Sequence, residues 1–218
     1  MWWAHDGDMK LPVVLGLVLT LLMLFPGVSS ASVAAPSGDV VTIGDPDALG
    51  QIDLYVDPLC PYSGKMIRSQ GAEIGRRIED GSLRVNLRFV NFLEKYSASG
   101  TYDARAIGAV FVVAGQSGSS DVTWRFVQQI FSAEQQPHEG GATDLSNDQL
   151  AGLAASVGAP SAAVDQIRVG VFLGYDPQAI AASNLAVLHT FPEPGVPTVV
   201  LGGEPLDGES DWLARLPG

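Results

Sequence analysis

The pattern that most constrains the fold is a change of hydrophobic period around residue 60. Before this position, apolar side chains occupy every second residue, at Ile52, Leu54 and Val56, which is typical of a strand with one buried face. After it, small and apolar residues recur at spacings of four, three and four, as on one face of an amphipathic helix: Ile67, Gly71, Ile74 and Ile78. The sequence therefore predicts a strand that leads directly into a helix, which ends near Gly81.

The only cysteine of the chain, Cys60, lies at this junction. We expect it at the helix N-cap, with Pro61 at the first helical position, where a missing N–H costs nothing. Unpaired amides and the helix dipole favour a thiolate there, and Lys65 adds a positive charge, so we predict a lowered thiol pKa and a nucleophilic role. Asp57 would raise that pKa if it lies close. The alternative is a small, buried and unreactive side chain.

The charge of the chain speaks against polyanionic partners. The formal net charge is −12, and no basic cluster is longer than the pair Arg76 and Arg77, so we expect no nucleic-acid partner. The three histidines and the single cysteine are too far apart to suggest a metal site, and we expect no cofactor.

Residues 1–34 resemble a targeting segment. Lys10 precedes a run over 11–25 that is apolar apart from Thr20, and residues 32–34 form a plausible cleavage site for a secretory signal that starts at Met9. The alternative is a membrane anchor. The apolar run over 11–25 reaches only ~22 Å as a helix, less than the ~30 Å hydrocarbon core, so an anchor would have to extend over 11–28. In either case we expect the folded part outside the cytoplasm, secreted, periplasmic or bound to the cell envelope, and only the N-terminal segment in contact with a membrane.

The first part of the folded chain is predicted to contain a parallel βαβ unit. Residues 35–39 are interpreted as a linker without periodicity, and 40–93 as the first half of a sheet domain. Apolar and polar residues alternate over 83–89, which predicts a second strand after the helix. Because ligands approach a parallel sheet at the carboxyl ends of its strands, Cys60 is expected at the binding edge.

The rest of the chain is predicted to interrupt this sheet with helices and then return to it. Residues 94–190 show helical spacing almost throughout, apart from a polar loop at 134–141 that we expect to be mobile. Residues 191–218 are interpreted as the second half of the sheet domain, with a strand at 198–201, a Gly-Gly turn, a short partner strand and a final helix.

Two motifs placed in this order resemble a known family. Cys60-Pro61-Tyr62-Ser63 and Gly195-Val196-Pro197-Thr198 are similar to the active-site motif and the cis-proline loop of the DsbA-like family, which has an α/β, thioredoxin-like fold with a helical insertion. The resemblance covers about residues 40–216. It implies an exported thiol–disulfide oxidoreductase in which Cys60 and Ser63 are catalytic and four residues bind an extended substrate: Pro61, Tyr62, Val196 and Pro197.

The chain departs from the family pattern at two positions. Ser63 stands where the family has its second, resolving cysteine, and Leu54 stands where thioredoxin-fold enzymes usually have a buried acid. Cys60 therefore has no internal partner and cannot store a disulfide. The chemistry that remains is monothiol exchange, as in disulfide isomerisation or reduction by a small thiol, with Ser63 as a hydrogen-bond donor to the thiolate. Exported cysteine-containing proteins or small thiols are the expected partners.

Two other functions stay open at this point. The motif at Cys60 also resembles the serine-containing motif of glutathione-dependent isomerases related to kappa-class glutathione transferases. The second alternative is a thioredoxin-fold module that has lost its redox activity and binds extended peptides at Val196 and Pro197.

Overall fold

The computed structural model describes residues 32–217, which build one six-stranded sheet and its covering helices. Two 3₁₀ helices, Glu94–Tyr96 and Trp212–Arg215, supplement the strands and α-helices. The main elements in chain order are β1 (Val33–Ser37), β2 (Val40–Gly44), β3 (Gly50–Val56), α1 (Pro61–Glu79), β4 (Leu83–Phe89), α2 (Tyr102–Ser117), α3 (Ser120–Ile130), α4 (Asn147–Ser156), α5 (Ser161–Val169), α6 (Pro177–Leu188), β5 (Thr198–Leu201) and β6 (Glu204–Asp207).

The sheet has the strand order β1-β2-β4-β3-β5-β6. β3 and β4 run parallel, with Gly50 opposite Leu83 and Val56 opposite Phe89, and the helix α1 connects them. Every other pair of neighbouring strands is antiparallel. The predicted βαβ unit is therefore confirmed, and the carboxyl end of β3 delivers the chain to Cys60.

Alternation along β3 assigns its side chains to two different cores. Ile52 and Leu54 face a large core that includes Ile74 of α1. Tyr55 faces the opposite side, where it packs with Leu188 of α6 and edge-on against the ring of Phe191, with centroids 5.5 Å apart. Both faces of the central strand are thus covered, as expected for a strand in a parallel pair.

The helical insertion is built around α2. All residues from 106 to 114 are buried, because α2 is apolar on every side and contacts the other insertion helices α3, α4, α5 and α6. The burial extends to the first turn of α2, where the acidic residue Asp103 is fully buried.

The prediction of a linker over 35–39 is wrong, because most of it belongs to a strand. β1 pairs antiparallel with β2 in register from Val33 opposite Gly44 to Ser37 opposite Val40. Ala34 is only 2% exposed, and its amide donates to the carbonyl of Gly118 at 3.2 Å. Residues 33 and 34 therefore belong to the folded sheet, and an export segment that extends to residue 34 is also wrong at its C-terminal boundary. This edge strand consists mostly of small residues, which do not give the alternation of large apolar and polar residues that predicts a strand.

Most of the predicted export segment and the alternative anchor over 11–28 lie outside the described residues. Within residues 32–217, none of the helices combines the length and the apolar character needed to cross a bilayer.

Candidate thiol site

Cys60 occupies the N-cap of α1, and Pro61 is the first helical residue, as predicted. The turn before the helix is closed by the Cys60 amide, which donates to the carbonyl of Asp57 at 3.0 Å. The carbonyl of Cys60 accepts from the Gly64 amide at 3.1 Å, which is the first hydrogen bond of the helix. The thiol makes no capping hydrogen bond to the helix, so its sulfur is directed elsewhere.

The sulfur of Cys60 faces the cis-proline loop, 136 residues further along the chain. Its Sγ lies 3.7 Å from the carbonyl oxygen of Val196, and the Val196–Pro197 peptide bond is cis. The loop is fixed from both sides: the Thr198 hydroxyl donates to the carbonyl of Gly195 at 2.7 Å, and the Gly208 amide donates to the carbonyl of Pro197 at 2.9 Å. The fold thus brings the two sequence motifs into contact.

A groove of about 480 Å³ opens beside this contact. Tyr62, which is 59% exposed, forms part of its wall together with the cis-proline loop and the β5–β6 hairpin. Three of the four predicted substrate-binding residues line it, namely Tyr62, Val196 and Pro197. Pro61 is exposed at the start of α1.

The thiol itself is almost covered, because Cys60 is only 4% exposed. This burial is the largest influence on its pKa and raises it above the ordinary value. The nearby backbone amide and hydroxyl of Ser63 and the backbone amide of Tyr62 act in the opposite direction and lower the pKa, and the charge of Asp57 raises it further. The predicted lowering of the thiol pKa is therefore wrong, since desolvation outweighs the helix N-terminus.

Lys65 does not supply the positive charge that the sequence suggested. Its Nζ pairs with Glu209 Oε1 at 2.6 Å at the rim of the groove, and its side chain is 67% exposed. Ser63 lowers the pKa of the Cys60 thiol through its amide and its hydroxyl, and its role as a hydrogen-bond donor to the thiolate stays a prediction. Its hydroxyl oxygen also accepts from the Asp57 amide at 3.3 Å, and the residue is fully buried.

Asp57 is the charged group closest in sequence to this site, and it is fully buried. Its carboxylate accepts hydrogen bonds from the amides of Leu59 at 2.9 Å and Leu93 at 3.1 Å. Burial nevertheless raises the pKa of Asp57, and these hydrogen bonds only partly offset that effect.

Asp103 of α2 is a site residue that sequence analysis missed. Its carboxyl group is fully buried, and neither oxygen has a hydrogen-bond partner among the described residues. Burial raises the pKa of Asp103, and the negative charges of Asp57 and Glu94 raise it further. Two neighbouring carboxyl groups that are both buried disfavour a double negative charge, so we expect this pair to retain a proton.

Gln136 is the second residue that was missed. It lies in the polar loop between α3 and α4, and its side-chain amide donates to the carbonyls of Pro58 at 3.1 Å and Cys60 at 2.9 Å. The loop that we expected to be mobile is therefore attached to the cysteine turn. A single polar residue in a loop rich in Glu, Gln and Gly gives no sequence signal for such a contact.

The described residues contain no group of three or more His, Cys, Asp or Glu side chains spaced to hold a metal ion.

Comparison with known proteins identifies the class of fold. No family model matches the chain. The serine/threonine-protein kinase PknE of Mycobacterium tuberculosis (strain ATCC 25618 / H37Rv) is 35% identical over 181 residues, which are 83% of this chain. The match spans only 32%, about a third, of the length of that kinase.

Two solved structures share most of the fold. The thiol–disulfide oxidoreductase MdbA of Corynebacterium matruchotii has a TM-score of 0.72 and 23% identity, and the match covers 87% of this chain and 93% of MdbA. The reduced disulfide-bond oxidoreductase DsbG of Mycobacterium tuberculosis has a TM-score of 0.62 and 25% identity, with 80% and 79% of the two chains covered.

The chain thus has the thioredoxin-like fold with a helical insertion that defines DsbA-like proteins, and the predicted resemblance is confirmed at the level of the fold. Within that fold, it carries a single thiol, Cys60, where the active-site helix begins.

Proposed function

We propose that this protein exchanges disulfides outside the cytoplasm through the single thiol of Cys60. The observation that carries the proposal is the contact between Sγ of Cys60 and the carbonyl of Val196, 3.7 Å apart at the edge of an open groove. A segment of substrate that lies extended against Val196 would present its disulfide to this sulfur.

The exchange requires no oxidant and no second thiol in the protein. The Cys60 thiolate attacks one sulfur of a substrate disulfide, a mixed disulfide forms, and the other substrate sulfur leaves as a thiolate and takes up a proton. A second thiolate, from the substrate or from a small thiol, then attacks the mixed disulfide and releases Cys60 as a thiolate. If another cysteine of the substrate supplies this thiolate, a different substrate disulfide forms and the result is isomerisation. If a small thiol supplies it, that thiol stays on the substrate in a mixed disulfide, and a second small thiol completes the reduction by displacing it as a small-molecule disulfide.

We propose that Cys60 reacts faster with a disulfide of a substrate bound in the groove than with a small disulfide free in solution. Cys60 is 4% exposed and its thiol pKa is raised, so only a small fraction of the thiol is ionised at neutral pH. A substrate that fills the groove would keep water away from the reacting sulfur atoms and hold them in line. The partners we propose are exported proteins with cysteines, because the N-terminal sequence resembles a secretory signal.

The second candidate is a peptide-binding module without redox activity. The covered thiol and its raised pKa favour this function, since a catalytic nucleophile usually has the opposite shift. The groove beside Val196 would then bind extended segments, and Cys60 would be a packing residue.

One experiment separates the two functions. The full chain and its Cys60→Ser variant are incubated with a protein whose disulfides have been scrambled, and covalent complexes are counted on non-reducing gels and by mass spectrometry. Monothiol exchange predicts complexes with the wild type, which a reductant dissolves, and none with Cys60→Ser.

Equal, non-covalent retention of the client protein by both chains would instead establish the binding module. Absence of any mixed disulfide at pH 9, where more of the thiol is ionised, would refute thiol exchange.

A further inference from the structure

The turn that carries Cys60 is held by a residue of the helical insertion, Gln136. Its Nε2 donates to the carbonyl oxygens of Pro58 at 3.1 Å and Cys60 at 2.9 Å. Neither carbonyl belongs to the insertion, so the contact joins two parts of the chain that are 78 and 76 residues apart. The Cys60 carbonyl accepts from Gln136 in addition to its helical bond from Gly64.

Arg68 of α1 fixes the orientation of the Gln136 side chain. Its Nη1 donates to Gln136 Oε1 at 2.9 Å and to the carbonyl of Phe131 at 2.9 Å. A guanidinium only donates and a carbonyl only accepts, so the amide of Gln136 can satisfy all three partners in one orientation. The Gln136 main chain is anchored as well, because its amide donates to the carbonyl of Ser132 at 2.9 Å.

Gly64 provides the space for this arrangement. A Cβ at this position would lie 1.8 Å from Gln136 Oε1 and 2.6 Å from Arg68 Nη1. A glycine in the first turns of a helix costs about 0.5–1 kcal/mol relative to alanine, and no positive φ requires one here. The close approach of Gln136 therefore explains why this residue of α1 is glycine.

We propose that Gln136, oriented by Arg68 and accommodated by Gly64, is a positioning residue for the Cys60 thiol. We call this set of contacts the Gln136 clasp. Cys60 has no side-chain cap to hold its own backbone, so the clasp fixes the peptide groups on both sides of the turn. It thereby keeps Sγ aimed at the carbonyl of Val196 and covered from solvent. The helical insertion thus contributes to the thiol site as well as to the fold.

The catalytic role of the clasp rests on the proposed thiol exchange. A second consequence, the access of reagents to the Cys60 sulfur, can be measured without a substrate. A freed turn should expose the sulfur more often, because local opening raises access to buried groups. Gln136→Met removes both donors at nearly constant length. We expect it to slow mixed-disulfide formation with a cysteine-disulfide peptide and to accelerate alkylation of Cys60 by iodoacetamide, each by roughly three- to tenfold, the range expected for loss of neutral hydrogen bonds.

The matched control is Gln135→Met. The neighbouring side chain makes no hydrogen bond within the described part of the chain, so both rates should stay within twofold of wild type. Gly64→Ala is a second variant, because its methyl group displaces only the flexible ends of Gln136 and Arg68. Alanine is the better helix former, yet we expect the same pair of changes as in Gln136→Met, and no further change when both substitutions are combined.

Opposite changes in the two rates in Gln136→Met and Gly64→Ala, but not in Gln135→Met, support the clasp. Unchanged rates, or a parallel fall of both rates, overturn it, since a parallel fall reports general loss of thiol access. If the wild type forms no mixed disulfide, thiol exchange fails as a function, and the iodoacetamide rates alone then decide whether Gln136 holds the turn.

Discussion

Two aspartates four residues apart, Asp53 and Asp57, show how differently the same side chain behaves on the two sides of one strand end. Asp53 lies within β3, is 28% exposed, and pairs with Arg88 at 3.1 Å and with the amide of Asn86 at 2.8 Å. Asp57 follows β3, is fully buried, and has its pKa influenced by the carboxyl group of Asp103. The first is paired with a cation, whereas the second accepts hydrogen bonds from the backbone amides of Leu59 and Leu93.

The difference indicates which carboxylate belongs to the site. A partly exposed pair with arginine on the surface of a sheet is an ordinary structural feature. Two buried carboxyl groups without a cation cost stability, and the described part of the chain pairs neither Asp57 nor Asp103 with Lys, Arg or His. Asp57 is part of the turn that carries Cys60, and its charge raises the pKa of the Cys60 thiol.

The largest effect is expected from removal of the buried acceptor, in Asp57→Ala. The amides of Leu59 and Leu93 would then be left without a partner in the interior, at a cost of about 1–3 kcal/mol each. We expect the free energy of unfolding to fall by about 2–5 kcal/mol in urea denaturation at pH 7. Asp57→Asn keeps one acceptor oxygen, so its free energy of unfolding should lie between those of the wild type and Asp57→Ala. A loss below 1 kcal/mol in Asp57→Ala would show that Asp57 stabilises the fold no more than the partly exposed Asp53 does.

The second prediction concerns the pH dependence of stability that Asp103 contributes. Because burial raises its pKa, the folded state binds this proton more tightly than the unfolded chain, whose aspartates titrate near ~3.9. That contribution to stability is complete below the unfolded pKa and is lost progressively as the pH rises towards the folded pKa. Asp103→Asn retains a donor to Asp57 without a titrating proton.

We therefore expect Asp103→Asn to equal the wild type near pH 4 and to exceed its stability at pH 8 by on the order of 2 kcal/mol. Urea denaturation across that pH range measures the difference. Asp148→Asn, on an exposed side chain of α4 that is 81% accessible, is the control and should give curves parallel to wild type. A constant offset between Asp103→Asn and wild type at all pH values would show that no proton is shared with Asp57.

The sequence predicts the parts of this comparison that depend on local pattern. The period of β3 places Leu54 and Asp53 on opposite faces, and the structure confirms that Leu54 is fully buried while Asp53 reaches Arg88. The strand-to-helix junction at Cys60 and the cis bond before Pro197 are also as expected. Each of these features is decided by neighbours in sequence or by a motif with a fixed geometry.

What pattern analysis misses depends on contacts between distant segments. In the sequence, Asp103 is an ordinary acidic residue in the first turn of a helix, and only the tertiary structure brings it near Asp57. The direction of the Cys60 pKa shift was predicted from the helix N-terminus and the charge of Lys65, which are both local in sequence. Burial, which is not local, decides it.

The smallest effect is expected for the exposed half of the comparison, in Asp53→Ala. Its pair with Arg88 is partly solvated, and the guanidinium also lies 5.7 Å from the ring centroid of Tyr55, which it can keep contacting without Asp53. We expect a loss of about 1 kcal/mol or less, and a coupling energy of about 0.5 kcal/mol in a double-mutant cycle with Arg88→Met. Because the pair is screened by ions, that coupling should shrink in 1 M salt, whereas the cost of Asp57→Ala should not. A salt-independent coupling energy above 2 kcal/mol would mean that Asp53 is desolvated like Asp57. The two aspartates would then differ only in the chemical nature of their neighbours, a guanidinium for Asp53 and a carboxyl group for Asp57.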